Sequence, residues 1–270
     1  MKRINLTIVA LIFSIVVSGQ TTTKKATVKF GPQEEAARST LQSVFGRNDL
    51  GYYIMRTQKK DLMLELIDYD LKTVKSLIIE DVKQGKRERV YYDEFFLNGN
   101  IYLITKYDNK EIDQMEFYVE TINPKTLTRS GNATKIASMA YTTKGLFSGP
   151  TGSISLINSK DNSKVLVYND IQDEKGTKET FNFQVFGGDM EKSWEKKVEM
   201  PYASELFGIQ QKRIDNNGNI YLTCIEYGDK AARRENKRSG TPNYKYHILG
   251  YTKDDDGVKD YAVNLDGKFI

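Results

Sequence analysis

The chain has very little cysteine and histidine, with one residue of each among 270. A single cysteine excludes an internal disulfide framework and any cysteine-rich zinc or iron–sulfur site. A single histidine excludes metal sites that need several imidazole ligands. We therefore expect no disulfide and no bound metal.

The sequence also has little excess of positive over negative charge. The formal net charge is +4, from 40 basic and 36 acidic residues, which is too small to indicate a nucleic-acid partner by itself. The sequence also lacks a Gly-x-Ser-x-Gly elbow, a Gly-x-Gly-x-x-Gly fingerprint and a phosphate-binding loop with a following lysine. We expect no nucleic-acid partner, no cofactor and no assignable catalytic residue.

Long apolar runs are absent except at the N-terminus. Lys2 and Arg3 precede the apolar residues 4–17, and small residues follow. These are the parts of a secretory signal peptide, and the run is shorter than the roughly 20 residues of a membrane span. We expect cleavage after Gly19 and a periplasmic or secreted protein without a membrane span. The alternative is an uncleaved anchor helix.

An internal repeat is the strongest pattern in the rest of the chain. The six residues Asn-Gly-Asn-Ile-Tyr-Leu at positions 98–103 recur identically at positions 217–222, with weaker copies at 162–167 and 48–54. Each copy is a polar turn followed by an apolar, aromatic and β-branched run. This pattern predicts a hairpin turn that leads into a strand.

Around each hairpin turn the pattern predicts four strands. One strand precedes the turn, one follows it, and two more apolar runs come after polar loops. About four such units are present, and four antiparallel strands per repeat are typical of a β-propeller blade. The alternative is a two-sheet sandwich with coincidental turns. The predicted domains are a signal peptide at 1–19, an N-terminal segment at 20–40, and blades at 41–80, 88–137, 152–200 and 207–270.

These turns and strands, with the Asn-Pro-Lys-Thr-Leu turn at 123–127, resemble the exported β-propeller repeat proteins of Gram-negative bacteria, a WD40-like class. The resemblance covers about residues 41–265 and implies an all-β propeller. Its motifs mark the blade and carry no chemistry. No Trp-Asp dipeptide closes a blade, so the WD40 family proper is not matched.

Four blades are few for a propeller, which has roughly four to eight. Residues 266–270 read as a turn followed by the start of another strand. We therefore expect an N-terminal portion of a longer propeller, with an incomplete ring that could self-associate. The alternatives are a four-bladed ring sealed by residues 26–30 and a ring completed by a second chain.

The loops between the second and third strands are the candidate binding face, because long polar loops on a rigid scaffold often bind ligands. They span about 58–61, 106–114, 169–180 and, in the last unit, a basic cluster. We predict that this cluster meets an anionic group such as a carboxylate or phosphate. The alternative is a solvated loop. The cluster consists of Lys230, Arg233, Arg234, Lys237 and Arg238.

The predicted function is an exported, non-catalytic binding or scaffold module of the cell envelope, with an envelope protein or glycan as partner. The alternative is a propeller enzyme that acts on polysaccharide with paired carboxylates, for which Asp93 with Glu94, or Glu226, are candidates. Two further side chains are assigned structural roles. The alternation of their strands predicts a buried, inert thiol at Cys224 and a solvent-near imidazole at His247.

Overall fold

The computed structural model describes most of the chain after the predicted signal peptide. Its described residues form strands, turns and no helix, which confirms the predicted all-β class. The signal peptide at 1–19 lies outside the described residues and stays a prediction. The described residues are 20–22, 27–31, 39–142, 149–150, 152–171, 178, 180–202, 205–228 and 244–263.

The first of two compact units lies within residues 1–79 and 125–127. It holds a two-stranded hairpin and a four-stranded antiparallel sheet with strands in sequential order. Met55 and Leu64, both fully buried, pair in register at its centre. Strand β2 pairs with β1, and the seal of the ring by residues 26–30 stays a prediction. The strands are β1 (Gln20–Thr22), β2 (Thr27–Lys29), β3 (Ser39–Asn48), β4 (Gly51–Gln58), β5 (Asp61–Ile67) and β6 (Thr73–Ile78).

The second unit, within residues 80–124 and 128–270, contains three antiparallel sheets. The first sheet runs β7 (Val82–Gln84), β8 (Arg87–Leu97), β9 (Asn100–Asn109), β10 (Gln114–Ile122), β11 (Arg129–Thr142) and β12 (Gly149–Pro150). The second runs β13 (Ser153–Asn158), β14 (Lys164–Ile171), β15 (Thr180–Gly187) and β16 (Lys192–Glu199). The third runs β17 (Phe207–Ile214), β18 (Ile220–Tyr227), β19 (Tyr244–Tyr251) and β20 (Lys259–Val263). The first sheet has six strands where four were predicted, because β7 and β12 extend its two edges.

The hairpin turns after the first long strand of each sheet gather at one end of the second unit. The Asn98 amide donates to the Asn162 carbonyl oxygen at 2.9 Å. The Asp161 amide donates to Asn216 Oδ1 at 3.4 Å. Asn98 and Gly99 have φ values of 47° and 80°, as the tight turn predicted from the Asn-Gly pair requires. Successive sheets are therefore tied together turn to turn.

The sheets of the second unit also pack face to face through two hydrophobic clusters. Strand β14 contributes to both, because Val165 and Val167 point into one cluster and Leu166 and Tyr168 into the other. A strand that is buried on both faces has a continuous run of apolar residues, and residues 165–168 of β14 form such a run. Four-stranded sheets stacked in sequence order are the blades of the predicted propeller class, and the sandwich alternative is wrong for this three-sheet unit.

Candidate functional site

The second and third long strands of each sheet in the second unit connect at the end opposite to the hairpin turns. We call this end the loop edge. Antiparallel strands reverse direction at alternate ends, so the connections after β9, β14 and β18 leave from the same end. The predicted basic cluster belongs to the last connection and lies outside the described residues, where it stays a prediction: Lys230, Arg233, Arg234, Lys237 and Arg238.

An open cavity of about 530 Å3 lies at the loop edge of the six-stranded sheet. Strands β7 and β8 form one wall, as a hairpin that turns tightly at Gly85, whose φ is 59°. The ends of β9 and β10 form the other wall. The lining is mostly charged and consists of Lys83, Lys86, Arg87, Glu88, Val90, Lys106, Asp108 and Met115.

One cation of the lining is already neutralised. Arg87 Nη1 lies 2.8 Å from Asp108 Oδ2. Tyr141 donates to Asp108 Oδ1 at 2.7 Å, and Lys110 Nζ lies 3.3 Å from the same oxygen. Burial acts to raise the pKa of Asp108, but the hydrogen bonds from Tyr141 and Lys110 outweigh it and leave this pKa below its ordinary value. Asp108 is therefore an ionised carboxylate that fixes the Arg87 guanidinium.

Three other cations of the lining are available to a ligand. Within the described part of the chain, Lys83, Lys86 and Lys106 form no ion pair. Lys106 Nζ lies 5.6 Å from the centre of the Tyr92 ring and makes a cation–π contact with it. Glu88 pairs in register with Lys83 across the hairpin, and the two side chains make no salt bridge. Among the described residues, the cavity thus presents three ammonium groups and one carboxylate that have no ion-pair partner.

A buried ion network supports the wall of the cavity from behind. Arg89 Nη2 lies 2.7 Å from Glu120 Oε1, and Arg129 Nε lies 3.3 Å from Glu120 Oε2. The Arg89 guanidinium also packs 5.2 Å from the centre of the Tyr118 ring. These contacts join β8, β10 and β11, and Arg89 directly precedes Val90 of the lining. The strand that carries the cationic hairpin is therefore held rigidly.

A second polar cluster lies at the loop edge of the last sheet, around His247. His247 Nδ1 is 2.9 Å from Asp260 Oδ1, and Nε2 is 3.3 Å from Glu226 Oε2. Tyr202 donates to Asp260 and also lies 3.2 Å from His247 Nδ1. Burial and the hydrogen bond to Asp260 raise the pKa of the Tyr202 hydroxyl. The cluster thus crosses β18, β19 and β20 and includes the segment before β17.

The prediction that His247 lies near solvent is wrong. His247 is 5% exposed, because it pairs in register with the fully buried Cys224 and shares a sheet face with Leu249 of the core. The predicted burial of Cys224 is confirmed. Sequence alternation alone did not reveal which face of β19 is covered, since that depends on the neighbouring sheet.

The carboxylates considered for catalysis are placed differently from one another. Asp93 and Glu94 are successive residues of β8, whose side chains point to opposite faces, so the two do not flank one bond. Burial raises the pKa of Asp93, and Tyr91 donates a hydrogen bond to Glu94. Glu226, by contrast, lies with Asp260 at the two ring nitrogens of His247.

The described residues contain no helix long and apolar enough to cross a membrane. The same residues contain no group of three or more histidine, cysteine, aspartate or glutamate side chains arranged to hold a metal ion.

Comparisons with solved structures give distant likenesses. Neither the protein-family models nor the curated proteins include a match. Among solved structures, an endo-arabinase from Bacteroides thetaiotaomicron VPI-5482 aligns with a TM-score of 0.37 and 11% identity, over 90% of this chain and 84% of that one. A likeness this distant says nothing about what this chain binds or catalyses.

Proposed function

We propose that this protein is an exported binding module of the cell envelope that holds an anionic ligand in the cavity between β7, β8, β9 and β10. The observation that supports the proposal is the set of ammonium groups without ion-pair partners among the described residues, Lys83, Lys86 and Lys106, around one concave space. The volume of about 530 Å3 falls within the range of small-molecule sites, roughly 300–1,000 Å3.

Charge explains why an anion is the expected occupant. Ammonium groups that converge on a concave surface raise the local concentration of anions and make charge-assisted hydrogen bonds to them. Asp108 neutralises Arg87, so Lys83 and Lys86 are the groups left to meet the ligand from the hairpin side. Lys106 faces them from β9.

Binding of simple anions by isothermal titration calorimetry at low ionic strength tests this proposal. Acetate and inorganic phosphate serve as probes. The double variant Lys83→Gln/Lys86→Gln is expected to lose about tenfold or more in affinity for both anions, since two charge-assisted contacts disappear. The matched control is Lys160→Gln, a change at an exposed turn lysine outside the cavity. Equal affinities of the double variant and the control would overturn the proposal.

Export is part of the same proposal and rests on the sequence of residues 1–19. The expected result is a mature protein that begins at Gln20 and is recovered from the periplasm or the medium. Cell fractionation with intact-mass measurement checks both points. Recovery of the uncleaved chain in the cytoplasm would overturn the exported location and leave the anion site to its own test.

A second candidate function is hydrolysis of polysaccharide by paired carboxylates. The observation that favours it is that Glu226 and Asp260 flank one imidazole and keep 33% and 30% of their side chains exposed. Glycoside hydrolysis requires two carboxyl groups on either side of the scissile bond. Turnover of a glycan panel, lost in Glu226→Gln and in Asp260→Asn and retained in Glu191→Gln, would support this function. Absence of turnover with retained anion binding would favour the binding module.

A further inference from the structure

We infer that the ligand of the cavity is a sugar acid, a saccharide of one or two rings that carries a carboxylate. This inference rests on the proposed function, because it names the class of anion that the same cavity takes. The observation that supports the inference is the mixture of chemical groups that line the cavity. Cations, carboxylates and apolar side chains face the same space, and a sugar acid offers a complement to each.

The carboxylates of the lining argue against a densely charged ligand. Glu88 is unpaired within the described residues, and Asp108 is ionised. Both would repel a polyphosphate, because like charges at close range disfavour binding by a large factor. A ligand with one carboxylate can place it between Lys83 and Lys86 and keep its uncharged remainder near Glu88. The cavity therefore fits a singly charged ligand better than a multiply charged one.

The same carboxylates provide acceptors that ionised acetate cannot use, because it has no hydrogen-bond donor. An ionised carboxylate has about four acceptor positions. Asp108 uses three of them, for Arg87, Lys110 and Tyr141. The acceptor positions of Glu88 have no donor among the described residues. Sugar hydroxyls are donors of the right kind for these positions, and acetate, which has no donor when ionised, would leave them to water.

Size and apolar surface point to the same class. Val90 and Met115 line the cavity and are half-buried, which offers an apolar patch to the C–H face of a pyranose ring. The volume of about 530 Å3 far exceeds the roughly 30 Å3 share of a water molecule. A single acetate would leave most of this space to solvent, whereas one or two sugar rings would occupy it.

Calorimetry with four probes tests the inference: D-galacturonate, D-glucuronate, acetate and tripolyphosphate, with neutral D-galactose as reference. One or both uronates are expected to bind at least tenfold more tightly than acetate, which corresponds to one additional hydrogen bond to a charged group. Galactose is expected to bind more weakly than galacturonate, because it lacks the group that meets the lysines.

The variant Glu88→Gln separates the sugar contact from the charge contact. It is expected to weaken uronate binding about fivefold, through the loss of a charged acceptor, and to strengthen acetate binding, through the loss of a repelling charge. Glu191→Gln, at an exposed turn outside the cavity, is the matched control, and unchanged thermal midpoints establish that both variants fold.

The outcomes distinguish failure of the sugar-acid inference from failure of the proposed function. If acetate binds as tightly as both uronates, or if tripolyphosphate binds more tightly than either, the sugar-acid inference is overturned and the anion site remains. If Glu88→Gln raises the affinities for acetate and uronate alike, the hydroxyl contact is refuted. If none of the four anions binds, the proposed function fails together with the inference.

Discussion

The buried carboxylate of Glu120 offers a direct test of how the cavity wall is held. Glu120 is 8% exposed and contacts two guanidinium groups, those of Arg89 at 11% and Arg129 at 33% exposure. Replacement by glutamine removes the charge and preserves the shape. Arg89, which is 11% exposed, then keeps its charge in a place that water reaches poorly, and this desolvation is the source of the cost.

The expected loss follows from the burial of the three groups. Removing one partner of a buried ion pair costs roughly 3–5 kcal/mol. The glutamine amide oxygen still accepts one hydrogen bond and Arg129 is one-third exposed, so Glu120→Gln should fall at the lower end, about 3 kcal/mol. At roughly 2–4 °C per kcal/mol for a domain of this size, the thermal midpoint should drop by about 6–12 °C.

Urea unfolding followed by circular dichroism, together with a thermal scan, measures this loss. Glu191→Gln is the control, because it makes the same chemical change at an exposed turn and should stay within about 0.5 kcal/mol of the wild type. A loss below about 1 kcal/mol for Glu120→Gln would show that the network is solvated like a surface salt bridge, and the reasoning about the cavity wall would be refuted.

Three further predictions concern charge, backbone and thiol. The hydrogen bond from Lys192, followed by those of two side-chain amides, lowers the pKa of Glu195 to about 2. The stability that Glu195 contributes is full at a pH above its pKa in the unfolded chain and is lost as the pH falls toward 2. Glu195→Gln should therefore flatten the fall of the urea midpoint between about pH 5 and 2.5. Parallel pH profiles of the urea midpoint in variant and wild type would contradict this prediction. Gly51 has a φ of 141°, and a β-carbon there would overlap a backbone oxygen of the adjacent strand. Gly51→Ala should therefore lose more than about 1 kcal/mol of unfolding free energy. Gly208→Ala should not, because a β-carbon there would meet its nearest atom, on the Gln210 side chain, at an ordinary contact distance of 3.7 Å; equal urea midpoints of the two variants would refute the prediction. Cys224 is fully buried and should react with a thiol reagent only after unfolding, whereas fast labelling of the native protein would contradict the packing.

The parts of the fold that sequence predicts well are those set by neighbours in the chain. The repeat at 98–103 and 217–222 predicts a turn that leads into a strand, and β9 and β18 begin inside these two copies, at Asn100 and Ile220. The turn at Asn98 and Gly99 forms where the Asn-Gly pair predicts it, because positive φ at two successive residues is a local requirement. Hydrophobic alternation and turn chemistry act over a few residues and need no knowledge of the rest of the molecule.

The parts that sequence misses depend on distant pairing. Lys106 and Asp108 lie in the predicted loop at 106–114. Arg87, the ion-pair partner of Asp108, comes from a hairpin that has no repeat motif. Only the register of β8 with β9 brings Arg87 and Asp108 within 2.8 Å. The burial of His247 depends in the same way on what the next sheet covers. The residue pattern of a single strand carries no information about strand pairing or about burial by a neighbouring sheet.

The place of the cavity follows from a departure from the repeat. In the other described sheets, the strands β3, β13 and β17 form a free edge. In the six-stranded sheet, β7 pairs with that edge, and the β7–β8 hairpin brings Lys83, Lys86 and Arg87 to the wall of the cavity. Repeated blades supply a rigid frame because every copy must pack like its neighbours. An added strand is under no such constraint, so its side chains can vary without disturbing the packing of the blades, and this favours the β7–β8 hairpin as the proposed binding site.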